Sequence, residues 1–265
     1  MADGVYSMYG DYAPIEDLIS LCEKYPQLHL YFDDVHGMSW KGHNGSGYVM
    51  EVLKELPEKI LLFGTLSKTF GASGAVLVCP DRKLFRKIKN FGGPLTFSAQ
   101  LEPSAVAAAS ASADIHLSTE IYSLQKALQL RINYFNELLS KTNLPLISKN
   151  DSLVFYIGTG LPATGYNFVK RMLDEGFFVN LGLFPAVPVK NTGVRITISC
   201  HNELEDIKAL VDALEYHYEK ALNATNNTLE RVGKAFNISV NPTTIKEKSD
   251  LDVSVIYAES IEDID

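Results

Sequence analysis

Hydrophobic residues in the first part of the chain follow two different spacings. Those that come after Pro14 lie at i, i+3, i+4 and i+7, on one face of a helix: Ile15, Leu18, Ile19 and Cys22. Proline is favoured at the first position of a helix, which supports a helix start here. Three short segments, at residues 28–32, 60–63 and 75–79, are apolar throughout and predict strands. Such strands, separated by helical stretches, predict an α/β sheet, mixed or mostly parallel, with helices on both faces.

The pattern changes in the second half of the chain. Residues 81–91 predict a basic amphipathic helix, and residues 102–141 are almost all helix-forming. Short strands then alternate with helices, which predicts a small α+β domain: strands at 153–157, 177–181 and 194–198, helices at 165–175 and 203–222. We therefore expect three parts: a large-domain portion with a long interdomain helix over 1–144, the small domain over 145–222, and a loosely attached polar, then acidic tail over 223–265, in which residues 253–257 could add one strand.

Composition narrows the class of protein. The chain has 265 residues, of which 46% are hydrophobic, so it can bury a sizeable core, and a disordered or collagen-like chain is excluded. The net charge of −8 argues against nucleic acid as the main partner. No apolar run approaches the roughly 18 residues that a membrane span needs, and the first residues lack a signal-peptide pattern. Three cysteines without CxxC spacing predict free thiols in a reducing compartment, the cytoplasm.

The segment FGTLSKTFG, which begins at Phe63, places a lysine directly after a predicted buried strand. Burying the ammonium of Lys68 is costly unless it is paired or modified, and desolvation favours the neutral amine that imine chemistry requires. Thr65 and Ser67 supply hydroxyls suited to a phosphate. A surface lysine in a Ser/Thr-rich loop explains this segment equally well when it is taken alone.

A second polar segment, DDVHG, follows the preceding predicted strand. Ligands of open sheets bind at the carboxyl ends of strands, so Asp33 and Lys68 are expected in one crevice. A carboxylate there can keep a ring nitrogen protonated, and His36 can stack on a ring or bond a phenolic oxygen. A metal site that adds His43 is an alternative, but no further ligand has a recognisable spacing. Asp34 is suited to capping the next loop.

Together these segments resemble the pyridoxal-phosphate α-oxoamine synthases, a family of the fold-type I, class I/II aminotransferase superfamily. It includes 8-amino-7-oxononanoate synthase, glycine C-acetyltransferase, 5-aminolevulinate synthase and serine palmitoyltransferase. The opening VYSMYGDYAPIEDL, the stretch TFSAQLEP from Thr96 and the segments FPAVP and GVRITIS match in the same order. The resemblance covers residues 3 to about 222 and implies a fold-type I transferase fold with a small C-terminal α+β domain.

The resemblance implies a role for each matching residue near pyridoxal phosphate. Lys68 corresponds to the lysine that binds the cofactor covalently and later acts as a base. Asp33 binds the pyridine nitrogen, and His36 contacts the phenolic oxygen. Thr65, with Ser67 beside it, binds the phosphate. Ser98 adds a hydroxyl from the neighbouring subunit, which implies a homodimer with a shared active site.

The resemblance also implies substrates. Arg195 corresponds to the residue that binds the amino-acid carboxylate, and Ser7 lies near the substrate. The implied reaction condenses an amino acid with an acyl-CoA and loses carbon dioxide. Asp3 stands where the family usually has a glutamate, and Ser98-Ala99 replaces the usual threonine pair.

The segment that precedes the matched region in the family is absent here, so we expect an N-terminally incomplete chain. Three hypotheses follow: a decarboxylating acyltransferase, an aminotransferase on the same fold, and a truncated chain that keeps the motifs without catalysis. A sheet that lacks its neighbouring strands would expose an edge and an apolar face.

Overall fold

The computed structural model describes residues 1–240 of the chain. It consists of two compact units, Met1–Ala127 and a second that begins at Leu128. The division falls within a long helix, earlier than the boundary expected near residue 145. No helix of residues 1–240 is long and apolar enough to cross a membrane.

A four-stranded mixed sheet organises the first unit. Its strands stand in the order of the sequence: β1 (Ala2–Asp3), β2 (Leu30–Asp33), β3 (Ile60–Thr65) and β4 (Ala75–Val78). The first three strands are parallel, whereas β4 is antiparallel to β3. The three strands predicted from apolar runs are thereby confirmed.

Helices connect and follow these strands, among them those predicted after Pro14 and at residues 81–91. They are α1 (Ile15–Lys24), α2 (Tyr48–Leu53), α3 (Arg82–Phe91), α4 (Gly93–Thr96), α5 (Pro103–His116) and α6 (Glu120–Ser140). Asp81 begins α3 by accepting hydrogen bonds from the amides of Lys83 and Leu84. The region expected to be helical over 102–141 is two helices, because the chain turns at residues 117–119.

The core of the first unit joins the sheet to its first two helices. Phe32 on β2 and Val49 on α2 have no exposed surface, and Ile15 and Ile60 have almost none. The strand β4 departs from the expectation that every strand is buried, since each of its residues is exposed. Among the described residues, β4 ends the sheet and pairs with β3 alone.

The second unit is a three-stranded antiparallel sheet covered by helices, as expected for a small α+β domain. Its strands, in the sheet order β5-β7-β6, are β5 (Val154–Gly160), β6 (Asn180–Gly182) and β7 (Thr192–Thr197). Its further helices are α7 (Pro162–Asp174), α8 (Leu204–Ala224) and α9 (Leu229–Phe236). The Tyr218 hydroxyl on α8 donates to the Gly158 carbonyl on β5 at 2.7 Å.

Helix α9 lies in a segment that the sequence predicts as a polar tail. Its Val232 is fully buried, and the Phe236 ring packs edge-on at 6.3 Å from the Tyr156 ring on β5. Two apolar residues at i, i+4 therefore attach residues that are otherwise polar. The strand expected at residues 253–257 lies outside the described residues.

Candidate active site

The polar residues singled out by the sequence lie at one edge of the first sheet. Asp33 ends β2, and Lys68 follows β3 in the loop that leads to β4. Because β1, β2 and β3 are parallel, their carboxyl ends share this edge. Asp3 ends β1 and stands opposite Asp33 in the strand register.

Lys68 is exposed, so the burial expected from its position after an apolar strand is wrong; its side chain contacts His36 directly. The Nζ atom of Lys68 lies 2.9 Å from Nε2 of His36. The loop that carries His36 is braced by its own residues: the Trp40 indole donates to the His36 carbonyl at 2.6 Å, and the Val35 amide donates to Asp33 Oδ1 at 3.1 Å. The structure thus brings His36 and Lys68 into contact, with Asp33 at the carboxyl end of the neighbouring strand.

Charge is concentrated at this edge. Burial raises the pKa of the Asp3 carboxyl, the negative charge of Asp33 raises it further, and the positive charge of Lys68 opposes both. The Asp3 carboxyl therefore interacts electrostatically with both Asp33 and Lys68 at this edge. Such a site favours a ligand that carries a further positive charge or a proton on nitrogen.

Two hydroxyls lie at the start of the loop formed by residues 66–74. Thr65 Oγ1 is 2.8 Å from Ser67 Oγ and accepts a hydrogen bond from the Ser67 amide at 3.2 Å. The loop is closed at its base, where the Leu66 amide donates to the Gly74 carbonyl at 2.9 Å. Both hydroxyls therefore lie within three residues of Lys68, and the hydrogen bond between Leu66 and Gly74 holds the two ends of the loop together.

Asp34, the residue after Asp33, is buried, with 2% of its surface exposed. The sequence predicts that Asp34 caps the next loop, but its Oδ2 accepts a hydrogen bond from the Val49 amide at 2.9 Å, so its side chain caps the first turn of α2 instead. A Cβ atom added at Gly4, Gly37 or Gly47 would lie within 2.2 Å of its carboxylate oxygens. Burial raises the pKa of Asp34 to about 7.

The remaining predicted residues lie elsewhere in the chain. Ser7 is half-buried in the turn after β1, and Ser98 is exposed in the segment after α4. Arg195 lies on β7 in the second unit, where its Nη1 donates to Thr197 Oγ1 at 3.1 Å. Burial lowers the pKa of Arg195.

The structure adds three residues that the sequence does not single out. They are Ser112 and His116 on α5, and Ser39 in the loop after β2. Ser112 contacts the loop that carries Lys68, and His116 contacts Ser39 in the loop that carries His36. A histidine and two serines in Ala-rich or Gly-rich surroundings give no pattern from which this contact could be predicted. Within residues 1–240, no three His, Cys, Asp or Glu side chains are grouped so that they could hold a metal ion.

Most of the chain is similar to proteins of known families. The family model described as aminotransferase class I and II matches residues 1–214. 8-Amino-7-oxononanoate synthase of Thermoanaerobacter pseudethanolicus is 30% identical over 216 residues, which cover 81% of this chain and 53% of that protein. The Arabidopsis thaliana protein of the same name is 34% identical over 214 residues, which cover 81% of this chain and 42% of that protein.

A solved structure is similar over the same region. A structure of SPT (serine palmitoyltransferase) with pyridoxal phosphate (PLP) as the internal aldimine superimposes with a TM-score of 0.75 at 25% identity. The match covers 83% of this chain and 54% of that one. The chain therefore spans about half the length of the relatives it matches.

Proposed function

Because the chain belongs to the class I and II aminotransferase family, and within it to the PLP-dependent α-oxoamine synthases, we propose that Lys68 binds PLP covalently. We further propose that the protein condenses an amino acid with an acyl-CoA or another acyl thioester, with loss of carbon dioxide. One observation carries the proposal: Lys68 Nζ lies 2.9 Å from His36 Nε2, at the sheet edge where Asp33 ends the neighbouring strand.

The side chains at this edge fit the groups that PLP presents. The primary amine of Lys68 suits an aldehyde carbon, and the Asp33 carboxylate suits a protonated ring nitrogen through a charge-assisted bond. The hydroxyls of Thr65 and Ser67 are donors for a phosphate. The His36 ring offers a flat face and a polar edge for an aromatic ring that carries an oxygen.

When bound, PLP supplies an electron sink for negative charge that develops beside the substrate nitrogen. Asp33 keeps the ring nitrogen protonated, and the bond from the Val35 amide holds one carboxylate oxygen in place. Lys68 takes up or releases a proton at Nζ. His36 Nε2 accepts a hydrogen bond from that nitrogen and fixes its position.

Three further residues are assigned to substrate and subunit contacts. Arg195 binds the amino-acid carboxylate, because its planar guanidinium matches two oxygens at once and its partial burial strengthens the attraction. Ser7 contributes a hydroxyl near the substrate. Ser98 reaches the phosphate of a second subunit in a homodimer with shared active sites. The free thiols of Cys22, Cys79 and Cys200 fit a reducing compartment such as the cytoplasm.

The first test is the formation of a covalent adduct with PLP. We expect wild type and the control Lys83→Ala, which changes an exposed lysine at the start of α3, to gain visible absorbance when mixed with PLP. Borohydride reduction and peptide mass spectrometry should then find the pyridoxyl group on Lys68, and Lys68→Ala should lack it. An absence of adduct in wild type, or an even spread over surface lysines, refutes the assignment.

A second candidate function is amino-group transfer, which the description of the matching family favours. The two reactions are separated by incubating the chain with an acyl-CoA and small amino acids. Thiol release that needs both substrates supports acyl transfer, whereas transfer of the amino group to a keto acid without thiol release supports the aminotransferase. If Lys68 forms the adduct and neither reaction occurs, the chain binds PLP without catalysis and acyl transfer by this chain is refuted.

The role of Arg195 is tested with the same assay. Arg195→Ala should raise the KM for the amino acid at least tenfold and leave the KM for acyl-CoA unchanged, and Arg195→Lys should recover part of the loss. Equal effects on both KM values would contradict a carboxylate contact.

A further inference from the structure

The end of α5 carries a buried histidine with two hydrogen-bond partners. His116 is 9% exposed, its Nδ1 lies 2.7 Å from the Ser112 carbonyl, and its Nε2 lies 2.9 Å from Ser39 Oγ. A carbonyl oxygen only accepts, so Nδ1 carries the proton. Nε2 faces the Ser39 hydroxyl, which can either donate to it or accept from it, and Ser39 lies three residues beyond His36.

The same turn of α5 contacts the loop that carries Lys68. Ser112 Oγ donates to the Phe70 carbonyl at 2.6 Å, and the rings of Phe70 and His116 lie 4.6 Å apart between centroids. Phe70 is two residues from Lys68. One helical turn therefore holds both loops whose side chains meet in the Lys68–His36 contact.

Ser39 adopts a backbone conformation that a residue with a side chain rarely takes. Its φ is 75°, in the left-handed region, and it is 5% exposed. Three contacts hold it there: its amide donates to the Gly45 carbonyl at 2.8 Å, its carbonyl accepts from Gln125 Nε2 at 3.0 Å, and its hydroxyl contacts His116. Strained residues persist where the surroundings over-determine them, and they cluster at functional sites.

We propose that His116 is a positioning residue that couples the two loops and so sets the Lys68–His36 contact. We name Ser39, Ser112 and His116 the α5 latch. The alternative is a core histidine that only fills space and adds to overall stability. The two interpretations predict different effects of losing His116. The α5 latch links the loop after β2 to the loop after β3, so its loss should loosen both loops and leave the strands unchanged. The coupling of the two loops does not depend on the proposed function; only its effect on the placement of Lys68 rests on that function.

Amide hydrogen exchange in the cofactor-free chain measures the coupling directly. Two amides report on the loops: Ser39, bonded to the Gly45 carbonyl, and Ala72, bonded to the Leu66 carbonyl. We expect His116→Leu to speed exchange at both at least tenfold, with the amides of β2 and β3 unchanged. His116→Gln, whose amide can occupy the position of Nε2, should restore slow exchange at Ser39.

Two further variants distinguish the latch from general destabilisation. Ser112→Ala, which removes the bond to the Phe70 carbonyl, should speed exchange at Ala72 and leave Ser39 slow, and it keeps the test decisive if His116→Leu does not fold. Ile15→Ala opens a cavity in the core of the same unit and should not single out the two loops. The proposal is overturned if Ser112→Ala has no effect at Ala72, or if His116→Leu affects one loop only or follows the pattern of Ile15→Ala.

The link to Lys68 is measured separately as the rate of adduct formation with PLP. His116→Leu should slow that rate at least fivefold relative to wild type, with recovery in His116→Gln. An unchanged rate, with both loops loosened, overturns the positioning role. If wild type forms no adduct at Lys68, the proposed function fails, and the exchange pattern alone decides whether the latch exists.

Discussion

Replacing Asp34 by asparagine is expected to remove a pH-dependent loss of stability from the first unit. The pKa of this carboxyl is raised to about 7: burial and the charges of Asp33 and Glu51 raise it, and the hydrogen bonds donated by the amides of Val49 and Tyr48 oppose them. In the unfolded chain an aspartate titrates near about 3.9. The folded state therefore binds the proton more tightly than the unfolded state does.

The sign and size of the effect follow from this difference. Between about pH 4 and about pH 7 the folded state holds more protons at this site, so the free energy of unfolding falls as the pH rises and levels off above pH 7. At about 1.4 kcal/mol for each pH unit, the full loss is about 4 kcal/mol at most. The side chain introduced by Asp34→Asn cannot ionise, and its amide oxygen can still accept from the Val49 amide. The structure leaves Asp34 Oδ1 without a hydrogen-bond partner among residues 1–240.

Urea unfolding at several pH values between 4.5 and 8 tests the prediction. The chain's single tryptophan, Trp40, is 6% exposed and lies in the loop after β2, so its fluorescence reports on the first unit. The stability of wild type minus that of Asp34→Asn should fall by several kcal/mol over this range. Asp17→Asn, at an exposed position in the first turn of α1, should show no such trend. A difference that stays flat, or that rises with pH, would show that Asp34 is ionised in the fold without cost.

Two predictions concern the second unit and are measured by urea unfolding followed by circular dichroism. Gly193→Ala should destabilise it by about 1–3 kcal/mol, because the added Cβ would lie 2.3 Å from Tyr156 Cε1 and 2.5 Å from the Ile157 carbonyl oxygen. Gly93→Ala, at a glycine of the first unit where an added Cβ would meet nothing within 4 Å, is the control for the glycine-to-alanine change itself. An equal effect of both variants contradicts the close approach at Gly193. Tyr218→Phe should lower the free energy of unfolding by about 1–3 kcal/mol, because the buried Gly158 carbonyl loses its donor. Tyr166→Phe, at a residue that is 59% exposed, should cause no measurable loss. Equal stability of the two variants refutes a role for the Tyr218 hydroxyl.

Local sequence patterns predict much of the fold and part of the site. Apolar runs locate β2, β3 and β4, and Pro14 locates the start of α1, because these features depend on neighbouring residues alone. Asp33 and Lys68 could be expected at one edge because parallel strands end together. The contact between Lys68 and His36 goes beyond that expectation, because it joins two loops whose conformations the strand order does not determine.

Other features depend on parts of the fold that are distant in sequence. Ser39 and His116 are 77 residues apart, and neither has a motif around it. The φ of Ser39 could not be predicted, since serine rarely takes it. The exposure of β4 also differs from its apolar sequence, because a strand's burial is decided by what packs against it.

The antiparallel pairing of β3 with β4 has a consequence for the order in which the site forms. Residues 66–74 join two adjacent strands, and a loop of about ten residues closes in about 10–100 ns. The parallel pairing of β2 with β3 needs a longer crossover, and the contact of Ser39 with His116 closes the largest loop of the three, at a higher entropic cost. The turn that carries Lys68 is therefore expected to form first, the edge with Asp33 and His36 next, and the α5 latch last. In this order, the turn that carries the Lys68 amine forms before His36 and the α5 latch are in place to restrain it.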